Sequence, residues 1–308
     1  MEISHLFNAL PGAVAQGLIW AIMAIGVYIT YKILDIADLS VDGTMCTGGA
    51  VCIVMLSNDQ PMWLALLAAV GAGILAGFAT GILHTAMGIP AILAGILTQL
   101  GLYSINLKVM GKANVPISNQ KYDLFVSLLY VSDVPFYKNT IFIVAVCVIV
   151  VIAVLYWFFG TELGCSLRAT GCNGNMSRAQ GINTDVNKVL GLMISNGLVA
   201  FSSALLAQYQ GFADINMGRG AIVIGLAAVI IGGVIFDRIF KNFALKLLGV
   251  ALGAIIYYIV LQIVMWLGFD TDLLKLLSAV VVAIFLAIPY IKKKYFTKAP
   301  VIKPEEVQ

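Results

Sequence analysis

Charged residues are scarce in this sequence: only 11% of its 308 residues are Asp, Glu, Lys or Arg. A soluble globular domain usually carries about 25% charged residues, so water is not the main solvent of this chain. The formal net charge of +3 is too small and too dispersed to form a nucleic-acid-binding surface. The composition therefore excludes an ordinary soluble domain, and we predict no nucleic-acid partner.

Patterns typical of metal binding and catalysis are also missing. The five cysteines form no C-x-x-C pair, and His5 and His84 stand apart from each other and from cysteine or carboxylate clusters. Zinc sites and disulfide frameworks require such clusters. The sequence contains no G-x-S-x-G, Walker A or H-E-x-x-H motif. We therefore predict that this chain has no metal site, no cofactor and no catalytic residue.

Hydrophobic residues, in contrast, make up 61% of the chain. About 20 consecutive apolar residues are enough for a helix to cross roughly 30 Å of hydrocarbon. Nine such runs are present, at residues 13–33, 36–57, 62–84, 89–110, 139–160, 188–209, 220–236, 245–267 and 273–291. The second run is crowded with polar residues in its first half, and the seventh is short and interrupted by Gly232–Gly233. We predict an all-α, polytopic membrane bundle of eight or nine transmembrane helices.

The distribution of basic residues predicts the orientation of this bundle. With nine spans and an internal C-terminus, twice as many of the 18 lysines and arginines fall on the inner side as on the outer side. This bias agrees with the positive-inside rule. It places the N-terminus and the long connection 111–138 outside, and the connection 161–187 inside. Residues 1–12 lack a basic region before the first apolar run, so we expect no cleaved signal peptide.

The segments between the spans are too short for a second domain. They hold fewer than about thirty residues each, whereas domains rarely fall below about 50. We expect residues 1–298 to form a single membrane domain and residues 299–308 a cytoplasmic tail. Any ATPase domain or solute-capturing domain must then belong to a separate chain.

The inner connection contains the pattern L-R-A-T-G-x-N-x-x-x-x-R-A-x-G-I, which runs from Leu167 to Ile182. This pattern resembles the coupling loop of permeases from the branched-chain amino acid and ribose class of ATP-binding-cassette importers. The resemblance implies that residues 164–183 dock into a cleft on an ATPase subunit. The implied contact residues are Leu167, Arg168, Thr170, Gly171, Asn173, Met176, Arg178 and Gly181. Alternatively, the two arginines only anchor the loop on the inner side.

A second resemblance lies in residues 36–44, which are similar to the I-D-L-S-V-G signature of the same family. Here Asp42 precedes Gly43, so the glycine is displaced by one position. An ionised Asp at mid-bilayer costs about 2.5–3.5 kcal/mol on the insertion scale, so such a residue normally faces a cavity or a partner. We predict that Asp42 lines the translocation path. The alternative is that Asp38 and Asp42, with Ser40, cap a broken helix.

Other polar residues within the spans are candidates for the same path. Gln99, Asn196 and Gln208 are the ones that we select, although for each of them taken singly a hydrogen bond between helices is the simpler explanation. The third run places Gly73, Gly77 and Gly81 on one helix face. Small residues at this spacing predict close packing against another helix of the same subunit.

The resemblance extends from Gln16 to the last span and implies a complete assembly. The chain would be the pore-forming permease of a type II importer in the bacterial inner membrane, taking up a small solute such as an amino acid. Its partners would be ATPase subunits inside, a solute-binding protein outside that is a lipoprotein, membrane lipid, and a second permease copy. A homodimer is the default, and a related second permease stays open.

Two questions stay open at this point. The chain resembles a bacterial branch of the family that is sometimes linked to aromatic amino acids, but solute choice in such systems resides mainly in the separate binding protein. The rival function is an ion-coupled secondary transporter, in which Asp42 would bind a proton or a sodium ion. Against this rival, the spans offer no second carboxylate for a relay, and the elaborate inner loop would have no role.

Overall fold

The apolar runs fold as helices in the computed structural model, which describes residues 3–117, 122, 124–128, 139–237, 239–267, 276, 279, 280, 282–284 and 287. The helices are α1 (Ile3–Tyr28), α2 (Val41–Ser57), α3 (Met62–Thr85), α4 (Ala91–Met110), α5 (Thr140–Gly160), α6 (Glu162–Cys172), α7 (Gly174–Ala179), α8 (Thr184–Gln210), α9 (Ala221–Phe236) and α10 (Phe243–Trp266). Within the described residues, six helices are long and apolar enough to cross a membrane, and α2 and α9 are shorter apolar helices. The predicted ninth span, 273–291, lies mostly outside the described residues, as does the predicted tail, 299–308.

The bundle is built around α1 and α8. In α1, 78% of the most apolar stretch is buried, and in α8 67%, whereas the corresponding share of α5 is only 22%. Helices α3, α4 and α5 therefore form the periphery, where exposed apolar side chains such as Leu75, Ile149 and Trp157 would meet lipid.

Helix α1 does not lead straight into α2. It ends in a π-helical turn, Ile29–Ile33, and residues 34–40 that follow are not helical. The predicted second span therefore begins five residues too early, because residues 36–40 use their polar groups in local bonds instead of a helix. The backbone N–H of Ser40, for example, donates to the Asp38 carboxylate at 2.9 Å.

Two short strands close the end of the bundle that we predicted to face outward. Strand β1 (Asn114–Pro116) pairs antiparallel with β2 (Phe212–Asp214). The pairing joins the connection after α4 to the connection after α8. The sequence had placed both connections on the same side of the membrane, and the sheet confirms that they meet.

Serine side chains of α8 bind backbone carbonyls of neighbouring helices. Ser195 donates to the carbonyl of Gly26 at 2.8 Å, Ser202 donates to that of Ile19 at 2.7 Å, and Ser203 donates to that of Met45. All three serines are fully buried. These hydrogen bonds attach α8 to α1 and α2, as the interhelical alternative predicted.

Glycines allow α3 and α8 to approach closely. A Cβ atom at Gly73 would collide with the carbonyl oxygen of Asn196, and one at Gly77 with that of Leu192. The predicted packing of this glycine face within the subunit is therefore confirmed. The Gly232–Gly233 pair, in contrast, does not interrupt α9, since the helix continues to Phe236 and Gly232 lies against the backbone of α10.

Candidate functional site

A cavity of about 260 Å³ lies between the start of α2, the middle of α4 and the connection from β2 to α9. Its lining residues are Asp42, Gly43, Cys46, Gln99, Leu100, Tyr103, Asn106, Ile215 and Arg219. The structure thus brings together two of the predicted path residues, Asp42 and Gln99, which lie on different helices. The two others, Asn196 and Gln208, are not among the described residues that line this cavity.

Asp42 joins the beginnings of two short helices. It lies in the first turn of α2, and its carboxylate accepts hydrogen bonds from the backbone N–H groups of Gly220 at 2.9 Å and Ile222 at 3.0 Å. The first N–H groups of a helix lack intrahelical partners and form the positive end of its dipole. Asp42 therefore caps α9, a helix distant in the sequence, and it also lines the cavity. Its place on the translocation path stays a prediction.

Three polar residues of the cavity were not selected from the sequence. Asn106 is 1% exposed and donates to the carbonyl of Gly43 at 3.3 Å, while its Oδ1 atom accepts no hydrogen bond among the described residues. Tyr103 lies one turn before it on α4, and Arg219 comes from the distant β2–α9 connection. The flanking Gly218 and Gly220 before a short span were the only sequence signal for Arg219.

Asn196 belongs to a buried network below the start of α2. Its amide nitrogen donates to the Asp38 carboxylate at 2.7 Å, and its Oδ1 atom accepts from the Thr44 hydroxyl at 2.6 Å. Ser40 donates to Asp38 at 2.5 Å and completes the network. Each of these side chains is at most 2% exposed. The network fixes the non-helical segment 34–40 to α8.

Gln208 connects α8 to a residue between α4 and α5 instead. Its Oε1 atom accepts from the backbone N–H of Phe125 at 3.0 Å, and its Nε2 atom lies 3.4 Å from the Cys52 sulfur. The side chain is fully buried. Gln208 thus holds Phe125, which belongs to the connection between α4 and α5, against α8.

The inner connection forms two short helices, α6 and α7, that share one capping residue. Asn173 ends α6, and its side chain accepts from the backbone N–H of Met176 at 3.0 Å to begin α7. The backbone at Asn173 is extended, so α6 and α7 are two separate helices and not one continuous helix. Gly181, with φ +81°, makes the turn after α7, a conformation that glycine adopts without strain.

One face of α6 is attached to the membrane bundle. Leu167 is fully buried, and the Thr170 hydroxyl accepts from the Asn187 side chain of α8 at 2.9 Å. Gly171 lies directly against the carbonyl of Ile33, the last residue of the π-helical turn. Three of the predicted contact residues therefore face the rest of this chain.

The other predicted contact residues lie toward the surface or the loop. Met176 on α7 is 59% exposed. The Arg178 side chain donates to the Thr184 hydroxyl at 2.8 Å and lies 3.6 Å from the Asp185 carboxylate, which braces α7 on the start of α8. Arg168 lies over the Phe243 ring, 5.7 Å from its centroid. An exposed surface thus remains on α7, beside Met176.

Comparison with known proteins identifies the fold and the family. Residues 10–288 match the family model described as branched-chain amino acid transport system, permease component. The chain belongs to this permease family. It is 40% identical over 280 residues to a tyrosine transport system permease protein of Clostridioides difficile, with 91% of each chain covered. It is 25% identical over 252 residues to a fructose import permease protein of Bifidobacterium longum, covering 80% of this chain and 68% of the relative.

A solved structure shares the fold of the permease. PsaBC from Streptococcus pneumoniae in complex with Fab matches with a TM-score of 0.56 at 15% sequence identity, covering 96% of this chain and 99% of that one. At this identity the likeness concerns the fold alone.

Family membership confirms the main functional prediction. The permease is a multi-pass membrane subunit of a type II ATP-binding-cassette importer, and ATP hydrolysis takes place in a partner chain. The subunit is non-catalytic. Membership also decides against the ion-coupled secondary transporter, because the permeases of this family are subunits of ATP-binding-cassette importers.

Proposed function

We propose that the cavity beside Asp42 and Gln99 is part of the solute path of this permease, and that helices α6 and α7 drive it from the cytoplasm. The observation that carries this proposal is the contact between Gly171 of α6 and the carbonyl of Ile33. Ile33 ends the π-helical turn, and the chain runs from there through residues 34–40 to Asp42. A displacement of α6 therefore reaches the cavity through fewer than about ten residues of backbone.

The segment between α6 and the cavity is suited to transmit movement. Residues 34–40 are held in the middle by the hydrogen bonds among Asp38, Ser40 and Asn196, so this segment is not a flexible loop. Packed elements of this kind move as units between discrete arrangements. π-Helical turns often occur at functional sites, and the one at Ile29–Ile33 lies where α6 would push.

The eight predicted contact residues divide into two roles. Leu167, Thr170 and Gly171 hold α6 on the bundle, whereas the surface beside Met176 on α7 is free to enter a cleft on the ATPase. Arg178 fixes the orientation of that surface through Thr184 and Asp185. Asn173 couples the two helices, since it ends one and begins the other.

An amino acid is the solute class that we favour. The name of the 40% identical relative specifies tyrosine transport, whereas the fructose relative is only 25% identical. The cavity is lined by both charged and apolar side chains, which suits a solute with an ionised group and a hydrocarbon part.

The proposal also includes the remaining partners and the membrane. The cavity borders the peripheral helix α4, so a second permease copy would complete the path, with a homodimer as the simplest assembly. A solute-binding lipoprotein would dock near the β1–β2 sheet, on the outer side. We assign the membrane as the bacterial inner membrane, the N-terminus to the outside and the C-terminus to the cytoplasm, because the basic residues favour the inner side.

Substitution of Gly171 tests the proposed drive. In Gly171→Ala the added methyl group would collide with the carbonyl of Ile33 and change how α6 sits on the π-helical turn. In proteoliposomes that contain the complete importer, we expect the amount of solute taken up per ATP hydrolysed to fall about tenfold, within the usual range of coupling free energies.

Gly160→Ala is the matched control, since a Cβ atom at Gly160 at the end of α5 meets nothing within 4 Å. It should retain the wild-type ratio of uptake to hydrolysis. If Gly171→Ala also transports with the wild-type ratio, the drive through Ile33 is wrong.

A further inference from the structure

The cavity beside α2 is lined by two side chains of opposite charge that form no ion pair with each other. Asp42 and Arg219 both line it, yet among the described residues the one ion pair joins Arg178 to Asp185 at the other end of the bundle. An acid and a base in one small cavity normally form an ion pair unless other groups hold them apart. The separation of Asp42 from Arg219 therefore needs an explanation.

Asp42 is held in place by α9. Each of its carboxylate oxygens accepts one backbone N–H, from Gly220 and from Ile222. A carboxylate oxygen has two acceptor sites, so each oxygen retains one for another donor. The side chain is only partly buried, so these acceptor sites remain accessible from the cavity. Asp42 is thus a rigidly positioned anion with remaining capacity for an ammonium group.

Arg219 provides the opposite charge in the lining of the same cavity. It precedes Gly220 directly, and its backbone N–H donates to the carbonyl of Asn216 at 3.0 Å. Its side chain is exposed and makes no side-chain hydrogen bond within the part of the chain that the structure describes. A guanidinium group presents five N–H donors in a planar arrangement that matches a carboxylate with two parallel hydrogen bonds.

The rest of the lining fits a small organic molecule between these charges. Gln99, Tyr103 and Asn106 supply polar groups from α4, and Leu100 and Ile215 supply apolar surface. The Oδ1 atom of Asn106 is buried without a hydrogen-bond partner among the described residues, which is a costly state unless a donor becomes available. A cavity of about 260 Å³ accommodates one such molecule.

We propose that this cavity binds the two charged groups of a zwitterionic α-amino acid, with Arg219 on the carboxylate and Asp42 on the ammonium group. This assignment rests on the proposed function, because it describes the solute on its path through the same cavity. It adds a selectivity step inside the permease itself, separate from the solute-binding protein. A neutral sugar would leave both charges without partners.

Saturation-transfer NMR on the full-length permease in lipid nanodiscs tests the assignment without the binding protein or the ATPase. The probes are L-tyrosine, tyramine, which lacks the carboxylate, and 3-(4-hydroxyphenyl)propionate, which lacks the ammonium group. We expect L-tyrosine to bind most tightly and tyramine about tenfold more weakly, since a charge-assisted pair of hydrogen bonds is lost.

The variant Arg219→Gln should remove the preference for L-tyrosine over tyramine. Lys108→Gln is the matched control, because Lys108 is an exposed cation in the last turn of α4 and does not line the cavity. It should bind the three probes as the wild type does. If the wild type does not distinguish L-tyrosine from tyramine, binds neither, or if Arg219→Gln keeps the preference, the assignment is overturned.

The outcome is separable from that of the proposed function. If charge preference is absent in nanodiscs while uptake in proteoliposomes still depends on Gly171, the zwitterion site is wrong and the drive through α6 stands. If the preference is present while Gly171→Ala transports normally, the cavity binds its solute and the proposed drive is wrong.

Discussion

The amide nitrogen of Asn196 lies 2.7 Å from a carboxylate oxygen of Asp38, although the two residues are 158 positions apart in the sequence. Both side chains are at most 2% exposed. A buried carboxylate is stable only if hydrogen bonds replace the water it has lost. This pair therefore connects the non-helical segment before α2 to the central helix α8, between the contact of α6 with Ile33 and the cavity.

Asn196→Leu should destabilise the permease strongly. The substitution leaves the Asp38 carboxylate buried with fewer partners, and removing one partner of a buried charge costs about 3 kcal/mol. Thermal unfolding of the purified chain in detergent measures the effect as a lowered midpoint. Asn58→Leu, in the exposed turn after α2, is the control and should leave the midpoint nearly unchanged. Equal midpoints for the two variants would show that the network contributes little.

Asp42→Asn should loosen the start of α9. The amide keeps one acceptor oxygen for two backbone N–H groups and loses the charge that the helix dipole favours, a loss of about 1 kcal/mol. Hydrogen exchange should become faster at the N–H groups of Gly220 and Ile222. Asp59→Asn, in the exposed α2–α3 turn, serves as control because Asn also tolerates the positive φ of 55° found there. Unchanged exchange in Asp42→Asn would argue against the cap.

Met176→Ser should weaken the hold of the ATPase on the permease. Met176 is 59% exposed on α7, and an exposed apolar side chain at an interface contributes mainly through its burial in the partner. We expect less ATPase to co-purify with this variant, with normal membrane insertion. Met87→Ser is a close control, since Met87 is 65% exposed in the connection between α3 and α4 on the same side of the bundle. If the ATPase co-purifies normally with Met176→Ser, the docking surface does not include Met176 on α7.

Cys172 reports the orientation of the bundle. It is exposed at the end of α6, so a membrane-impermeant maleimide should label it in inside-out vesicles and not in intact cells, in a Cys165→Ser background. Lys112→Cys in a chain that also carries Cys172→Ser should show the reverse pattern, since residue 112 is exposed next to β1. Labelling of Cys172 from outside the cell would invert the proposed topology.

Much of the architecture could be predicted from the sequence. Apolar runs, their lengths and their glycine spacing are local properties, and they gave eight helices near their true positions and the close packing of Gly73 and Gly77. The second helix was predicted five residues too early because hydropathy does not register the mutual hydrogen bonds of Asp38 and Ser40. The pattern around Arg168 was recognised because it is contiguous, and its role in ATPase coupling stays a prediction.

The composition of the cavity could be predicted only in part. Asp42 and Gln99 were selected as polar residues in apolar surroundings, which is a local signal. The sequence around Asn196 and Gln208 does not show that their side chains hydrogen-bond to Asp38 and to the backbone of Phe125, because those partners are distant in the chain. Arg219 was not selected as a cavity residue for the same reason. In the sequence, it is a basic residue beside a span, which is typical of an ordinary outer-loop cation.

The contact of Gly73 and Gly77 with the backbone of α8 restricts how the permease can change shape. Two helices that touch backbone to backbone have no side chains between them to rearrange, so α3 and α8 are expected to travel as one rigid body. Any movement of the bundle during transport is then expected along a less tightly packed boundary. Helix α4, which is only 28% buried over its most apolar stretch, provides such a boundary on the side of the cavity.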